Sequence, residues 1–280
     1  MKKGHIRLLS IEELSQFIDL LVQNKRVKDI VTNVQVMSYI IEYPTEILKP
    51  LLQKYSENGD IDSVNEVITN FPDFTQKKVQ SRHFYYKALI SSGRYEDVIC
   101  DFEKSAESPE EGSKIFSTYA FFELLKLPDL RERAIKVAEK HLETKFYLPS
   151  ILVGVHYFIN ENYDKARELL QVHPPSLDKV DSMILRSVKE TGNVTLGMQY
   201  VNLVNELTAV KYRIKIRAYG NLLDILVRKE MFDEAAALIK KAEEHEVYLH
   251  KYYQSTLMSL KTSLENQNKS VPFNVPSEIK

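Results

Sequence analysis

The sequence predicts an all-α protein, a right-handed α-solenoid of helix-turn-helix repeats with about seven helix pairs and a C-terminal capping helix. Three observations carry this. A turn-plus-second-helix pattern returns about every 34 residues, a period proper to helix-pair repeats. Glycine is scarce, 8 in 280 residues. Long alternating apolar and polar runs, the mark of half-buried strands, are absent.

The recurring unit is a turn residue, an apolar residue two later and a small or apolar residue three after that. Asn58-Gly59-Asp60-Ile61-Asp62-Ser63-Val64 and Ser92-Gly93-Arg94-Tyr95-Glu96-Asp97-Val98 are two copies. The second-helix anchors are Ile30, Val64, Val98, Ala134, Ala166, Gly197 and Ala235, at spacings of 34, 34, 36, 32, 31 and 38. Each unit buries its apolar face only against its neighbours, so residues 1–265 are expected to make one continuous stack.

Ser10 is placed to cap a first helix, with Glu13 completing a capping box. A second helix runs to about Ile41, and Pro44 breaks the chain before Thr45 restarts it. Leu48, Leu51, Leu52 and Tyr55 then share one helical face, matched after Gly59 by Ile61, Val64, Val67 and Ile68. Phe84, Tyr85, Ala88 and Leu89 pair likewise with Tyr95, Val98, Ile99 and Phe102 across Gly93. Ser108-Pro109-Glu110-Glu111 and Pro128 read as helix starts, since proline at the first helical position sacrifices no hydrogen bond. Ile151–Phe158 pairs with Tyr163–Leu170, and Pro174-Pro175 ends that pair. Met183, Ile184 and Val188 face Val194, Met198, Val201 and Val204. The last pair runs from about Val210 to Lys229 and from Met231 to Glu244, and a helix from about Tyr248 to Leu264 covers the end. Residues 266–280 hold Pro272 and Pro276 and little apolar content, which predicts a disordered tail.

Lys+Arg 38 against Asp+Glu 39 leaves a net charge of −1, so any nucleic-acid function must rest on how charge is distributed. Cys100 stands alone, which excludes an internal disulfide framework and a cysteine-rich zinc site. The seven histidines form no metal-binding pair, and no glycine-rich phosphate loop occurs. The acids at the repeat turns sit where a helix N-terminus favours them. The expectation is a protein that is not an enzyme, with no cofactor, no metal and no small-molecule substrate. No run approaches the roughly 20 apolar residues of a membrane-spanning helix. The basic start Met1-Lys2-Lys3-Gly4-His5-Ile6-Arg7 reads either as the remnant of an organelle transit peptide or as an ordinary disordered start.

Residues 46–64 fit a pentatricopeptide repeat without gaps. Leu51, Leu52 and Tyr55 fall on its apolar first-helix positions, Gly59 on its turn glycine and Val64 on its small second-helix position. Phe232-Asp233-Glu234-Ala235 and the Glu246–Leu249 junction resemble the same family. Tyr85 to Phe102 is similar to a tetratricopeptide repeat nearly as well. The irregular stretch from Leu127 to Gln199 resembles small, degenerate mitochondrial pentatricopeptide proteins. Over roughly residues 45–260 the resemblance implies a mitochondrial protein acting on RNA processing or stability; a cytoplasmic location is the alternative. In that register the base-reading position is held by Ser15, Lys49, His83, Tyr119, Ile151, Ser182 and Gly220, where only the serines fit. A one-base-per-repeat code is therefore not expected.

Charge counted by repeat position from residue 45 onward gives +11 for the first helices of the pairs and −11 for the second helices, while the N-terminal pair runs the other way, at −3 (11–23) and +2 (25–40). Two first helices hold most of the positive charge. One carries Lys77, Lys78, Arg82, His83 and Lys87, the other Lys211, Arg213, Lys215 and Arg217. Basic side chains neutralise phosphates and exposed aromatics stack on bases, so these residues are the candidate RNA contacts. The alternative reading is a scaffold or assembly subunit that grips a protein partner along a tetratricopeptide-like groove.

Overall fold

The computed structural model describes residues 16, 20, 22–24, 45–71, 81–107 and 116–274. These residues form α-helices and short 3-10 turns, with no strand among them. The chain divides into two compact units, Met1–Lys140 and His141–Lys280, where the repeat pattern alone led to one stack. Most of the first predicted helix, all of the second and the Ser108–Glu111 start lie outside the described residues.

The first unit contains α1 (Thr45–Glu57), α2 (Ile61–Asn70), α3 (Ser81–Ser91), α4 (Tyr95–Glu107), α5 (Thr118–Lys126) and most of α6 (Pro128–Glu143). Leu48, Leu51, Leu52 and Tyr55 of α1 meet Val64 and Val67 of α2 and Phe84 and Ala88 of α3 in one core. A second core is aromatic: the rings of Tyr86, Phe102, Phe116 and Phe121 follow one another with centroids 5.0–5.7 Å apart.

The second unit contains α7 (Leu148–Ile159), α8 (Tyr163–Leu170), a 3-10 turn over Pro174–Lys179, α9 (Asp181–Thr191), α10 (Val194–Glu206), α11 (Tyr212–Arg228), α12 (Phe232–Glu244), a second 3-10 turn over Leu249–Lys251 and α13 (Gln254–Asn266). Pro174 and Pro175, which end the preceding pair, open a segment in the tighter 3-10 form. The α-helix proper begins only at Asp181.

The turns explain the period. At Gly59, Gly93, Glu161 and Glu230 the backbone is left-handed, with φ of 68°, 76°, 62° and 58°. In each turn the next N–H donates to the carbonyl five residues back: Asp60 to Tyr55, Arg94 to Leu89, Asn162 to Tyr157 and Met231 to Leu226. This is the Schellman closure, which satisfies the last carbonyls of one helix and reverses the chain into the next. The new helix then opens on an acceptor side chain in some turns. Asp60 accepts from the N–H of Ser63, and Asn193 from that of Leu196.

The anchors behave as the period requires. Val64, Val98, Ala134, Ala166 and Ala235 are fully buried. Gly197 is buried too, and a Cβ there would lie 2.8 Å from Leu222 Cδ1. Ile30 lies outside the described residues. Polar contacts repeat the same interval. Lys87 reaches Glu57, Arg133 reaches Glu103 and Glu96, and Arg167 reaches Glu206; Lys211 reaches Asp178 and Thr256 reaches Asp224. All join residues 30–39 apart in sequence. One helix pair further along the chain is one step sideways in space.

α13 covers the second unit's last apolar face with Leu257, Leu260 and Leu264. The chain does not leave the fold at residue 266, where the disordered tail was expected to begin. Lys269 Nζ pairs with Asp233 at 2.6 Å, and Phe273 is buried and lines one small cavity together with Ile239, Val247 and Leu257. A single large ring outweighs the polar composition around it. Residues 275–280 lie outside the described residues.

Candidate functional site

α9 and α11 are the first helices of successive pairs in the second unit and pack side by side. Their shared surface divides into two parts of opposite electrostatic character.

At one end sits Asp178, in the 3-10 turn before α9. Its carboxylate accepts from Lys211 Nζ at 2.7 Å and from Arg213 Nε at 2.7 Å, and a second Arg213 guanidinium nitrogen binds it as well. Arg217 lies 3.8 Å away and places its other contact, at 2.7 Å, on Asp181. Asp178 is nearly enclosed, and the hydrogen bonds from Arg213 and Lys211 hold its carboxyl well below the usual carboxylate range. Asp181 is 1 % exposed. Burial raises its carboxyl, against the opposing pull of Arg217. Three of the four candidate phosphate ligands of this helix thus have internal counter-ions. Lys215 stands two residues beyond Arg213, about 200° round the helix, and lies apart from the cluster.

Beyond it the two helices line an open groove of about 580 Å³. Ser182, Arg186 and Lys189 line it from α9, spaced at four and three residues so that they share a face. Asn221 and Arg228 line it from α11, two turns apart. Arg186, Lys189 and Arg228 are exposed, and Glu190 is the one acid of the lining. Arg217 and Arg228 are eleven residues apart, about 16 Å along the axis. The groove therefore begins beside the internally neutralised cluster, at Ser182 and Asn221, and extends to Arg228 at the far end of α11.

In the first unit, Lys77 and Lys78 lie outside the described residues. Of the rest of that cluster, Arg82 is exposed. His83 is half-buried, edge-on to Phe84 at 5.5 Å and to Tyr119 at 5.6 Å. Burial, with the Lys87 charge nearby, lowers the His83 imidazole. Lys87 is itself paired with Glu57 at 3.0 Å. Tyr86 belongs to the core.

Two of the seven register positions cannot meet a ligand. Ile151 is fully buried, and the Tyr253 ring covers Gly220 so closely that a Cβ would lie 1.9 Å from Tyr253 Cζ. Ser182 does face the groove.

Sequence reasoning missed Arg186, Lys189 and Arg228. Counting charge by helix made α9 neutral, because Asp178, Asp181 and Glu190 cancel its basic residues. The available signal was the Ser182-Arg186-Lys189 spacing, which puts polar and basic groups on one face, with Asp181 directly before Ser182 and Asp178 one turn further back.

Among the described residues no group of three or more His, Cys, Asp or Glu side chains is placed to hold a metal ion. None of their helices is long and apolar enough to cross a membrane. Compared with known proteins, the chain matches no family model, no curated protein and no solved structure.

Proposed function

We propose that this is a degenerate pentatricopeptide-type protein, a right-handed solenoid of about seven helix pairs, that binds RNA in mitochondria and acts in its processing or stability. The observation that carries the RNA reading is the groove between α9 and α11, where Arg186, Lys189 and Arg228 converge beside Ser182 and Asn221. Guanidinium and ammonium groups neutralise phosphodiester oxygens, and hydroxyl and amide groups supply neutral hydrogen bonds. The mitochondrial assignment and the role in RNA maturation rest on the family resemblance.

RNA binding here is backbone-directed. Gly220 under Tyr253 and Ile151 in the core have no means of reading a base, so affinity comes from charge and carries little sequence preference. The Asp178 cluster favours a second reading, a protein-binding scaffold, because it pairs most of the predicted positive cluster with the protein's own carboxylates.

The test is the salt dependence of RNA binding by the full chain between about 50 and 200 mM salt. Changing Arg186, Lys189 and Arg228 to Ala lowers the slope by about 2 if all three meet phosphates, at roughly 0.7 per contact on a single strand. An unchanged slope removes the groove from the interface. No binding by the unmodified protein at low salt returns the protein to the scaffold reading.

A further inference from the structure

Beyond phosphate contacts, the second unit carries a pair of outward-facing tyrosines held on a rigid base. Tyr248 is 53 % exposed and Tyr212 47 %. Tyr248 sits between Val247 and Leu249, both almost fully buried, in extended backbone with φ −93° and ψ 99°. The alternation of an extended chain sends its two neighbours inward and its own ring outward. Val247 N–H is anchored on the Ala242 carbonyl at 2.7 Å, and Tyr248 N–H donates to the Tyr212 hydroxyl at 2.9 Å. That last bond spans one repeat and fixes the Tyr212 ring beside the Tyr248 backbone. The His250 imidazole lies 6.2 Å from the Tyr248 ring, inclined at 58°.

We infer that Tyr248, with Tyr212 and His250 beside it, is a stacking site for an unpaired nucleobase. The inference rests on the RNA reading of the α9–α11 groove. Rings whose backbone is already immobilised lose little entropy when a flat partner lies on them. Base–aromatic stacking needs one open ring face and tolerates any base, in keeping with the two register positions, Ile151 and Gly220, that no base can reach. Lys251 follows directly, exposed, with its ammonium 5.8 Å from the Tyr252 ring centroid, and supplies positive charge for the flanking phosphates. A protein partner is the less fitting occupant. The exposed large apolar side chains described in this unit are tyrosines apart from Val172 and Met258, and no exposed Leu, Ile or Phe extends the surface as a docking helix requires.

Fluorescence anisotropy decides it, with the full chain and labelled RNA of about 12 nucleotides in three forms: single strand, duplex, and single strand with its bases removed. Tyr248→Ala weakens single-strand binding by about 10-fold. It leaves duplex and abasic binding, and the salt slope, unchanged, while Tyr248→Trp restores or strengthens single-strand binding. Equal loss on single strand and duplex, or no loss on the single strand, overturns the stacking site. So does a shift from dimer to monomer in Tyr248→Ala with RNA binding intact, which would assign the rings to a second copy of the chain. If the unmodified protein binds none of the three RNAs at low salt, the groove reading and this inference both fall. If Arg186→Ala weakens binding and Tyr248→Ala does not, only the stacking site falls.

Discussion

Arg217 Nη2 lies 2.7 Å from Asp181 Oδ2, and the carboxylate it meets is almost wholly enclosed. The pair joins the start of α9 to the second turn of α11, across one repeat. Arg217→Ala leaves a buried carboxylate without its counter-ion, a loss on the order of 3 kcal/mol. Arg213→Ala removes an exposed partner of Asp178, which Lys211 still holds, and costs much less. Denaturant unfolding of the two variants separates them. Equal losses would show that Asp181 does not depend on Arg217. The contrast also bears on RNA experiments, since an Arg217 variant can lose binding through unfolding alone whereas Arg186 and Arg228 variants remain folded.

Gly220 and Tyr253 make a second cross-repeat fit. The ring lies where a Cβ would be, so Gly220→Ala must drive Tyr253 out of its site. The expected loss is about 2–3 kcal/mol, read as a lower thermal midpoint. Tyr253→Ala combined with Gly220→Ala should cost less than the sum of the single changes, because the second methyl no longer meets a ring. Strict additivity would argue against the contact.

The left-handed turns offer a graded series. Glu230 adopts φ 58° without glycine's freedom, so Glu230→Gly is expected to stabilise the protein by about 0.5–1 kcal/mol. Gly93→Ala meets nothing within 4 Å and costs only the backbone conformation, about 1 kcal/mol. Gly59→Ala costs more, since its Cβ would lie 3.0 Å from the backbone nitrogen of Ser92. Calorimetry of the three variants should preserve this order.

His83 and His141 both have imidazoles held below their ordinary value, His141 by burial and His83 by burial with the Lys87 charge nearby. A depressed folded value means that the unfolded chain binds protons first. The stability is present above about pH 6.5 and is lost as pH falls through the folded values. Asp178, also depressed, adds its own loss further down, below the ordinary carboxylate range. The thermal midpoint should fall between pH 7 and pH 5 as the two histidines take up protons. His83→Phe with His141→Phe should flatten that part of the profile; an unaltered slope would place the titrating groups elsewhere.

The local signals were legible because they repeat. Gly59 and Gly93 mark turns whose geometry needs a left-handed residue, and a period near 34 residues places Val64, Val98, Ala134, Ala166 and Ala235 in the core. Helix starts at Thr45 and Pro128 followed from capping chemistry and proline. Turns at Glu161 and Glu230 were harder to see as the same structure, since glutamate ordinarily avoids that conformation and only the closing hydrogen bonds reveal the identity.

Sequence alone determined that the chain is helical, where its turns fall and which residues face inward, because those properties depend on neighbours within one or two turns. It also singled out the basic run of α11. Which of those charges remain available was decided only by the tertiary structure. Asp178 is more than thirty residues from Lys211 and Arg213, yet packing of α9 beside α11 brings the three together. The same packing leaves Arg186, Lys189 and Arg228 around an open groove, and Tyr248 beside Tyr212. Charge and stacking act through distance in space, and a helix-pair repeat turns one period of sequence into a single step sideways.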